Sequence, residues 1–360
     1  MWVLKRIKKA LFSIARGAGV VERCLNSDWR QQRLLILCYH GTSLADEHLW
    51  DPDLYIDRDR LRGRLSYLRS NGCSVLPLGS ALQRLYNGTL PPRSVALTYD
   101  DGTYDFYRVA LPVIREFEYP VTVYLTTYYS DHHQPVFNVM LRYLLWKGQG
   151  RALHFPEVIS ADTQLTQDSQ PRVAARFRQF AAENALSGRQ KDLLLEKLAR
   201  TLEIDYADLR QRRLLHLMTH EEAREAARSG VDVQLHTHRH RLYDSRSAFH
   251  AEIEENRRRV ESITGRPADH FCYPAGCHLP EFPQWLGEIG VLSATTTESG
   301  IATPSSDPFL LPRLIDTSNM SSAEFAAWVS GLAALLPQRE HRVSMGPLVR
   351  AQTDAGADAP

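Results

Sequence analysis

Short apolar segments alternate with amphipathic segments along most of the chain. The apolar segments are typical of buried strands and span residues 34–38, 74–76, 94–99, 120–126, 231–235, 270–273 and 291–296. Between them, apolar residues recur every three or four positions, which predicts helices around residues 61–71, 104–117, 219–227, 245–263, 280–289 and 321–336. A short helix is also predicted after the strand at 74–76, up to about residue 86. Strands that alternate with helices pair in parallel. The pattern therefore predicts an α/β fold, either a barrel or a doubly wound sheet.

The alternation stops between residues 129 and 217, where the pattern predicts helices at 136–146, 173–182 and 189–202. Because the strand and helix alternation resumes afterwards, we interpret residues 129–217 as a helical insertion in one domain that spans residues 31–336. The aromatic and basic residues of this insertion either cover the cleft and select substrate, or belong to an amphipathic helical decoration.

The two ends of the chain have patterns of their own. Residues 1–30 are predicted to form a basic amphipathic helix and a linker, and residues 1–16 carry five Lys or Arg and no acid. This helix either packs on the domain surface or contacts an anionic membrane. Residues 337–360 are predicted to be a disordered tail.

Composition restricts the classes of function. The 43 Lys and Arg nearly balance the 42 Asp and Glu, which argues against a nucleic-acid binder. The longest apolar run has six residues, whereas a membrane-spanning helix needs about 20. Five cysteines without a CxxC pair argue against a disulfide scaffold. They favour a cytoplasmic location, at the inner face of the membrane if residues 1–16 bind lipid.

Candidate chemistry lies at the ends of two predicted strands. Asp100 and Asp101 follow the strand at 94–99, and Gly102 permits a turn that can direct both carboxylates toward one cleft. Three histidines follow the strand at 231–235. Either His236 and His240 converge on a metal from one turn, or His236 pairs with His238, two positions along the chain, as in amidohydrolase barrels.

Two further strand ends carry polar or turn-forming residues. Tyr273, Pro274, Ala275 and Gly276 form a predicted turn that can present backbone N–H groups to a ligand, and His40 ends the first strand. In a parallel barrel all these residues meet at one rim. Carboxylates, imidazoles and N–H donors together are the parts of a metal-assisted hydrolase.

The sequence resembles the polysaccharide deacetylase family, carbohydrate esterase family 4, over roughly residues 34–128 and 216–316. Residues 97–102 (LTYDDG) are similar to the family's TFDDG motif. Residues 236–240 (HTHRH) are similar to its H-[ST]-x-x-H motif, and residues 271–276 (FCYPAG) to its FxYPxG motif. The resemblance implies a distorted (β/α) barrel.

The resemblance also implies roles for the motif residues. Asp100 would be the general base. A divalent metal, usually zinc, would be held by Asp101, His236 and His240. The turn at 273–276 would face the substrate, with the Ala275 N–H binding the oxyanion.

This sequence departs from the common family pattern at two places. No histidine in a Leu-x-His pattern follows the third motif, but residues 38–41 (CYHG) resemble an early strand end of a circularly permuted subgroup, similar to the poly-N-acetylglucosamine deacetylases. That likeness makes His40 the general acid. Cys272 stands where the family has an arginine, and Arg313, in an LPR segment, is the residue that would support Asp100 instead.

The resemblance thus implies metal-dependent removal of the N-acetyl group from an amino sugar, with release of acetate. The expected partner is an N-acetylated glycan, either a poly- or oligosaccharide or a glycolipid. Two alternatives remain: a metal-dependent amidohydrolase that uses His236 and His238, and a catalytically inactive carbohydrate-binding relative.

Overall fold

The computed structural model describes residues 11–15, 17–131, 134–336 and 345–350. Seven parallel strands close into a barrel: β1 Leu35–Tyr39, β2 Ser94–Tyr99, β3 Thr122–Leu125, β4 Asp232–Leu235, β5 His270–Cys272, β6 Ser293–Ser299 and β7 Leu311–Ile315. Their order around the barrel is β1-β7-β6-β5-β4-β3-β2, and the barrel closes where Leu35 to Tyr39 pair with Val95 to Tyr99. The barrel, rather than the doubly wound sheet, is therefore the fold.

Helices surround the barrel. They are Arg58–Ser70, Leu78–Tyr86, Leu111–Glu116, His220–Arg228, Arg246–Thr264, Phe282–Glu288 and Ser322–Val329, and a π turn at Phe106–Ala110 precedes the third. The Thr219 side chain accepts a hydrogen bond from the Glu222 N–H, and the Glu222 carboxylate accepts one from the Thr219 N–H, which is the predicted capping box.

Smaller elements complete the barrel domain. The strand Ser74–Val75 extends the sheet beside β2, and Gly41–Thr42 pairs with Tyr55–Ile56 near the end of β1. The short helix Glu47–Trp50 lies between those last two strands in the chain. Since all barrel strands run in the same direction, their carboxyl ends form one rim, and the candidate residues lie there.

The insertion between β3 and β4 has a hydrophobic core of its own. Its helices are Phe137–Lys147, Gln170–Glu183, Gly188–Thr201 and Tyr206–Gln211. Leu141, Phe177 and Leu198 are fully buried in this core. The insertion is not purely helical, because Ala152–Leu153 and Thr163–Gln164 pair as an antiparallel hairpin.

The last strand and the last helix of the barrel differ from the sequence expectation. Strand β7 was not predicted, since it has five residues and contains Pro312, which weakens a strand pattern. The helix expected at 321–336 ends at Val329. Gly331 then has a φ of 86°, a left-handed value that ends the helix before the 3₁₀ turn Leu332–Leu335.

The two ends of the chain are only partly described. Residues 1–10 and 16 lie outside the described residues, so the predicted membrane contact and cytoplasmic location remain predictions. The expected linker instead includes the helices Val20–Leu25 and Asp28–Gln31. Arg30, fully buried, donates hydrogen bonds to the carbonyl oxygens of Val329 at 2.8 Å and Ser94 at 3.0 Å, and so joins this segment to the barrel base.

The prediction of a disordered tail was wrong for residues 345–350. In this segment Leu348–Val349 pairs in parallel with Leu242–Tyr243, because two apolar residues, of which Val349 is β-branched, favour an extended backbone. Residues 337–344 and 351–360 of that predicted tail are not among those described. None of the helices that the structure describes is long and apolar enough to cross a bilayer.

Candidate active site

The two neighbouring aspartates at the end of β2 face different partners. The Asp100 N–H donates to the Tyr39 carbonyl at 2.9 Å, which continues the pairing with β1. Asp101 and Gly102 then take φ values of 68° and 74°, and the chain turns sharply. A Cβ on Gly102 would lie 2.3 Å from the Leu125 side chain, so this turn requires glycine.

Asp100 is held inside the barrel by Arg313. The guanidinium donates to both carboxylate oxygens, Oδ1 and Oδ2, at 2.7 Å each. Arg313 is itself fixed by the Thr296 carbonyl at 2.9 Å and the Thr98 hydroxyl at 3.2 Å. Burial alone would raise the pKa of Asp100, but the charge and hydrogen bonds of Arg313 outweigh it and hold this pKa well below its ordinary value. Asp100 is therefore an ionised, oriented carboxylate.

His40 and two cysteine thiols surround the same carboxylate. The His40 Nε2 lies 3.6 Å from Asp100 Oδ2, and the thiols of Cys38 and Cys272 each lie 3.5 Å from that oxygen. Arg313 Nη2 also contacts the Cys272 sulfur at 3.2 Å. The cysteine that replaces the family arginine thus borders the Asp100–Arg313 pair.

Asp105 positions the turn that carries His40. Its Oδ1 accepts hydrogen bonds from the Thr42 N–H at 3.0 Å and the Thr103 hydroxyl at 2.8 Å. The Thr103 hydroxyl also lies 3.4 Å from the His40 carbonyl oxygen. Burial raises the pKa of Asp105 to about 8. Sequence reasoning missed this residue, which is four positions after Asp101.

Asp101, His236 and His240 form a cluster of potential metal ligands. Asp101 Oδ1 lies 3.1 Å from His236 Nε2 and 3.4 Å from His240 Nε2. One ligand atom from each residue lies within 4.8 Å of the others. Hydrogen bonds with the two histidines hold the pKa of Asp101 well below its ordinary value, although burial acts in the opposite direction.

The surroundings of this cluster fit a divalent cation. His236 Nδ1 is 2.8 Å from the Cys272 carbonyl oxygen, an interaction that leaves Nε2 as the ligand atom. His240 has a φ of 56° and Thr237 one of 61°, so the loop folds back and brings both rings, 5.0 Å apart, to the same side. One carboxylate and two imidazoles are a common donor set for zinc.

His238 lies outside this cluster. Its Nδ1 is 2.9 Å from the Thr127 hydroxyl, and the side chain is buried. Asn256 donates to that same hydroxyl at 3.1 Å and accepts a hydrogen bond from the His236 N–H at 2.9 Å. The structure therefore groups His236 with His240 rather than with His238.

Asn256 is a second residue that sequence reasoning missed. It lies in the apolar stripe of helix Arg246–Thr264, between Ile253 and Val260, and is fully buried. A polar residue in the middle of an apolar stripe was the available signal, because such a residue needs a hydrogen-bonding partner in the interior.

The four residues predicted to contact substrate form a turn after β5. Ala275 is exposed with a φ of 51°, whereas Tyr273, Pro274 and Gly276 are buried. The Tyr273 ring packs against Phe271, with 5.2 Å between the ring centroids. The Tyr273 and Pro274 side chains are buried here, which leaves Ala275 as the exposed residue of the four, and substrate contact at this turn stays a prediction.

The metal-ligand cluster faces a cleft of about 390 Å³. Asp101 and His240 line one side, and the insertion residues Val139 and Leu215 line another. The C-terminal residues Gly346 and Pro347 also border this cleft. Barrel, insertion and C-terminal segment therefore enclose one site.

A known protein family has the sequence features of this site. The family model described as polysaccharide deacetylase matches residues 87–154 and 202–293, which include both aspartates and the histidine motif. The chain belongs to the polysaccharide deacetylase family. The unmatched residues between these segments lie inside the predicted insertion. His40 and Arg313 are also outside the matched segments.

Solved structures show the same fold. The deacetylase PplD from Streptococcus pyogenes, in complex with acetate, is 17% identical with a TM-score of 0.55, over 85% of this chain and 99% of that chain. IcaB from Ammonifex degensii is 17% identical with a TM-score of 0.50, over 83% and 97%. A de-N-acetylase from Aggregatibacter actinomycetemcomitans is 14% identical with a TM-score of 0.51, over 81% and 98%.

None of the curated protein sequences matches the chain. Family membership nevertheless confirms the predicted enzyme class, a hydrolase that removes acetyl groups from nitrogen atoms of polysaccharides. The family is generally metal-dependent, in agreement with the ligand cluster of this polysaccharide deacetylase.

Proposed function

We propose that the protein removes N-acetyl groups from amino sugars of a poly- or oligosaccharide or a glycolipid, with Asp100 as general base and His40 as general acid. The observation that carries the proposal is that a cluster of potential metal ligands and a separate buried carboxylate lie at the same rim of the barrel. Asp101, His236 and His240 form a ligand cluster, and Asp100, the residue before Asp101 in the chain, is a separate carboxylate held by Arg313.

Asp101, His236 and His240 would hold a divalent cation, with zinc as the first candidate because imidazole and carboxylate ligands suit it. When bound, the cation would supply Lewis acidity toward the acetyl carbonyl group. His238 contributes no ligand in this proposal, since it is bonded to Thr127 instead.

Asp100 would accept the proton of the attacking water. Arg313 keeps the carboxylate ionised and fixes both oxygens, so no side-chain rotation is needed when the water arrives. The N–H of Ala275, which is an exposed residue, would donate a hydrogen bond to the oxygen that becomes negative.

His40 would donate a proton to the departing nitrogen, because an amide nitrogen leaves poorly as an anion. Its Nε2 is 3.6 Å from Asp100 Oδ2, so a proton taken up by one group can reach the other over a short distance. This role places the acid directly after β1, as in the permuted members that residues 38–41 resemble.

The test is acetate release from an N-acetylglucosamine oligomer. We expect release to stop on addition of a chelator and to return with zinc, whereas the glucosamine oligomer yields nothing. Release that is unaffected by complete metal removal would contradict the proposed metal role. Failure to release acetate from any N-acetylated glycan would contradict the proposed function itself.

A further inference from the structure

A second cavity opens beside the candidate active site. It has a volume of about 370 Å³ and shares Tyr129, Arg239 and Arg241 with the cleft that Asp101 and His240 line. The opposite wall belongs to the insertion and includes Phe137 and Lys191. A glycan chain bound in the cleft can therefore continue into this cavity.

The cavity has an excess of positive charge. The Arg239 guanidinium is neutralised by Glu252 at 2.7 Å, and Asp192 is engaged by Arg210 at 3.3 Å. Lys191 and Arg241 are the cavity-lining cations that are not neutralised in this way. Within the part of the chain that the structure describes, no carboxylate oxygen lies within 4 Å of either cationic group.

The N-terminus of helix Gly188–Thr201 adds to this charge. Ser187, its N-cap, and Gly188, its first residue, both line the cavity. The N-terminus of a helix of this length has a partial positive charge that favours anions. Two cationic side chains and a helix N-terminus thus converge on one space.

Aromatic side chains form the rest of the wall. Tyr128 and Tyr129 contact each other edge to face at 5.2 Å between ring centroids, and Phe137 lies 5.9 Å from the Lys191 ammonium group. Aromatic faces pack against the apolar C–H face of a sugar ring, while cations bind its charged substituents. The wall therefore fits a sugar that bears a negative charge.

We propose that this cavity is an anion-binding subsite and that the substrate is an acidic N-acetylated glycan, with a carboxylate or phosphate near the sugar that is deacetylated. The proposal rests on the proposed function. Arg241 directly follows His240 in the chain, so the anionic group lies close to the acetylated sugar rather than far along the glycan.

The first test compares kcat/KM for a neutral N-acetylglucosamine oligomer and two acidic substrates. A hyaluronan oligosaccharide supplies carboxylates, and an oligomer of N-acetylglucosamine 1-phosphate supplies phosphates, so the two arms separate the sources of charge. We expect an acidic substrate to be preferred. Lys191→Gln and Arg241→Gln should each lower the acidic-to-neutral ratio about fivefold, and the double variant should lower it further.

Arg189→Gln is the matched control, because Arg189 is an exposed cation on the same helix that does not line the cavity. It should leave the ratio unchanged. An equal ratio in the wild type, Lys191→Gln and Arg241→Gln would refute the subsite, as would an equal loss in the Arg189→Gln control.

Binding without turnover separates this proposal from the proposed function. The Kd of a fluorescent hyaluronan oligosaccharide, measured by anisotropy, should rise about fivefold in Lys191→Gln, and should rise in the wild type as salt is added. If no glycan is deacetylated but this Kd responds as stated, the function fails and the subsite stands. If acetate is released but the Kd is the same in both proteins, the subsite fails.

Discussion

The barrel and the insertion both border the cleft, but they hold their side chains in different ways. In the barrel, Asp100 and Arg313 are buried and joined by two hydrogen bonds of 2.7 Å. On the insertion side, Lys191 is half-buried and Arg241, which lines the same cavity from the histidine loop, residues 236–241, is exposed. Each region also has its own hydrophobic core.

The proposed roles explain why the barrel residues are buried and fixed, whereas the cations beside the insertion are more exposed. A base must be held within hydrogen-bonding distance of the proton it accepts, so strand ends and buried partners are suited to it. A cation that attracts a charged sugar acts over a longer distance, and a flexible side chain on a helix is sufficient. We therefore expect substitutions at the barrel rim to abolish catalysis and substitutions in the insertion to change selectivity or local stability.

The largest effect is expected from Asp100→Asn. The amide keeps the size of the side chain but cannot accept the proton, so kcat should fall by about a thousandfold. Zinc content, measured by elemental analysis after dialysis, should be unchanged. His236→Ala is the contrasting variant, because it removes a proposed ligand and should lower both activity and zinc content. Near-normal acetate release by Asp100→Asn would show that Asp100 is not the base.

The next effect concerns the buried ion pair. Arg313→Met leaves the Asp100 carboxylate buried without its counter-charge and should lower the free energy of unfolding by about 3–5 kcal/mol. The measurement is chemical denaturation followed by tryptophan fluorescence.

The double variant Asp100→Asn/Arg313→Met is the control for that substitution. It removes both charges, so it should recover part of the lost stability. Equal destabilisation in the single and double variants would mean that Arg313 acts through packing and not through its charge on Asp100.

The rim could be predicted from the sequence because its chemistry is local. Asp101 lies just after β2, His236 and His240 lie in the loop after β4, and parallel strands bring such positions together. The family resemblance then selected His240 over His238. In the structure, His240 lies 3.4 Å from Asp101, whereas His238 is bonded to Thr127.

The remaining site residues depend on contacts between distant parts of the chain. Arg313 lies on β7, a strand that its pattern did not predict, and reaches Asp100 across the barrel. Asn256 meets His236 only because helix Arg246–Thr264 packs on β4. Lys191 and Arg241 share a cavity only because the insertion folds back over the histidine loop. No local pattern encodes these distances.

The smallest effect tests whether the insertion is a separate region. Leu198→Ala removes a fully buried side chain from the insertion core and should cost about 3 kcal/mol of local stability. Leu193→Ala is the matched control on the same helix, where the side chain is 54% exposed, and should cost much less. In hydrogen exchange, amides of helix Gly188–Thr201 should lose protection in Leu198→Ala, while amides of β2 keep theirs because β2 belongs to the other core. Equal loss of protection in β2 would mean that both cores unfold together, and the insertion would then be an integral part of the barrel.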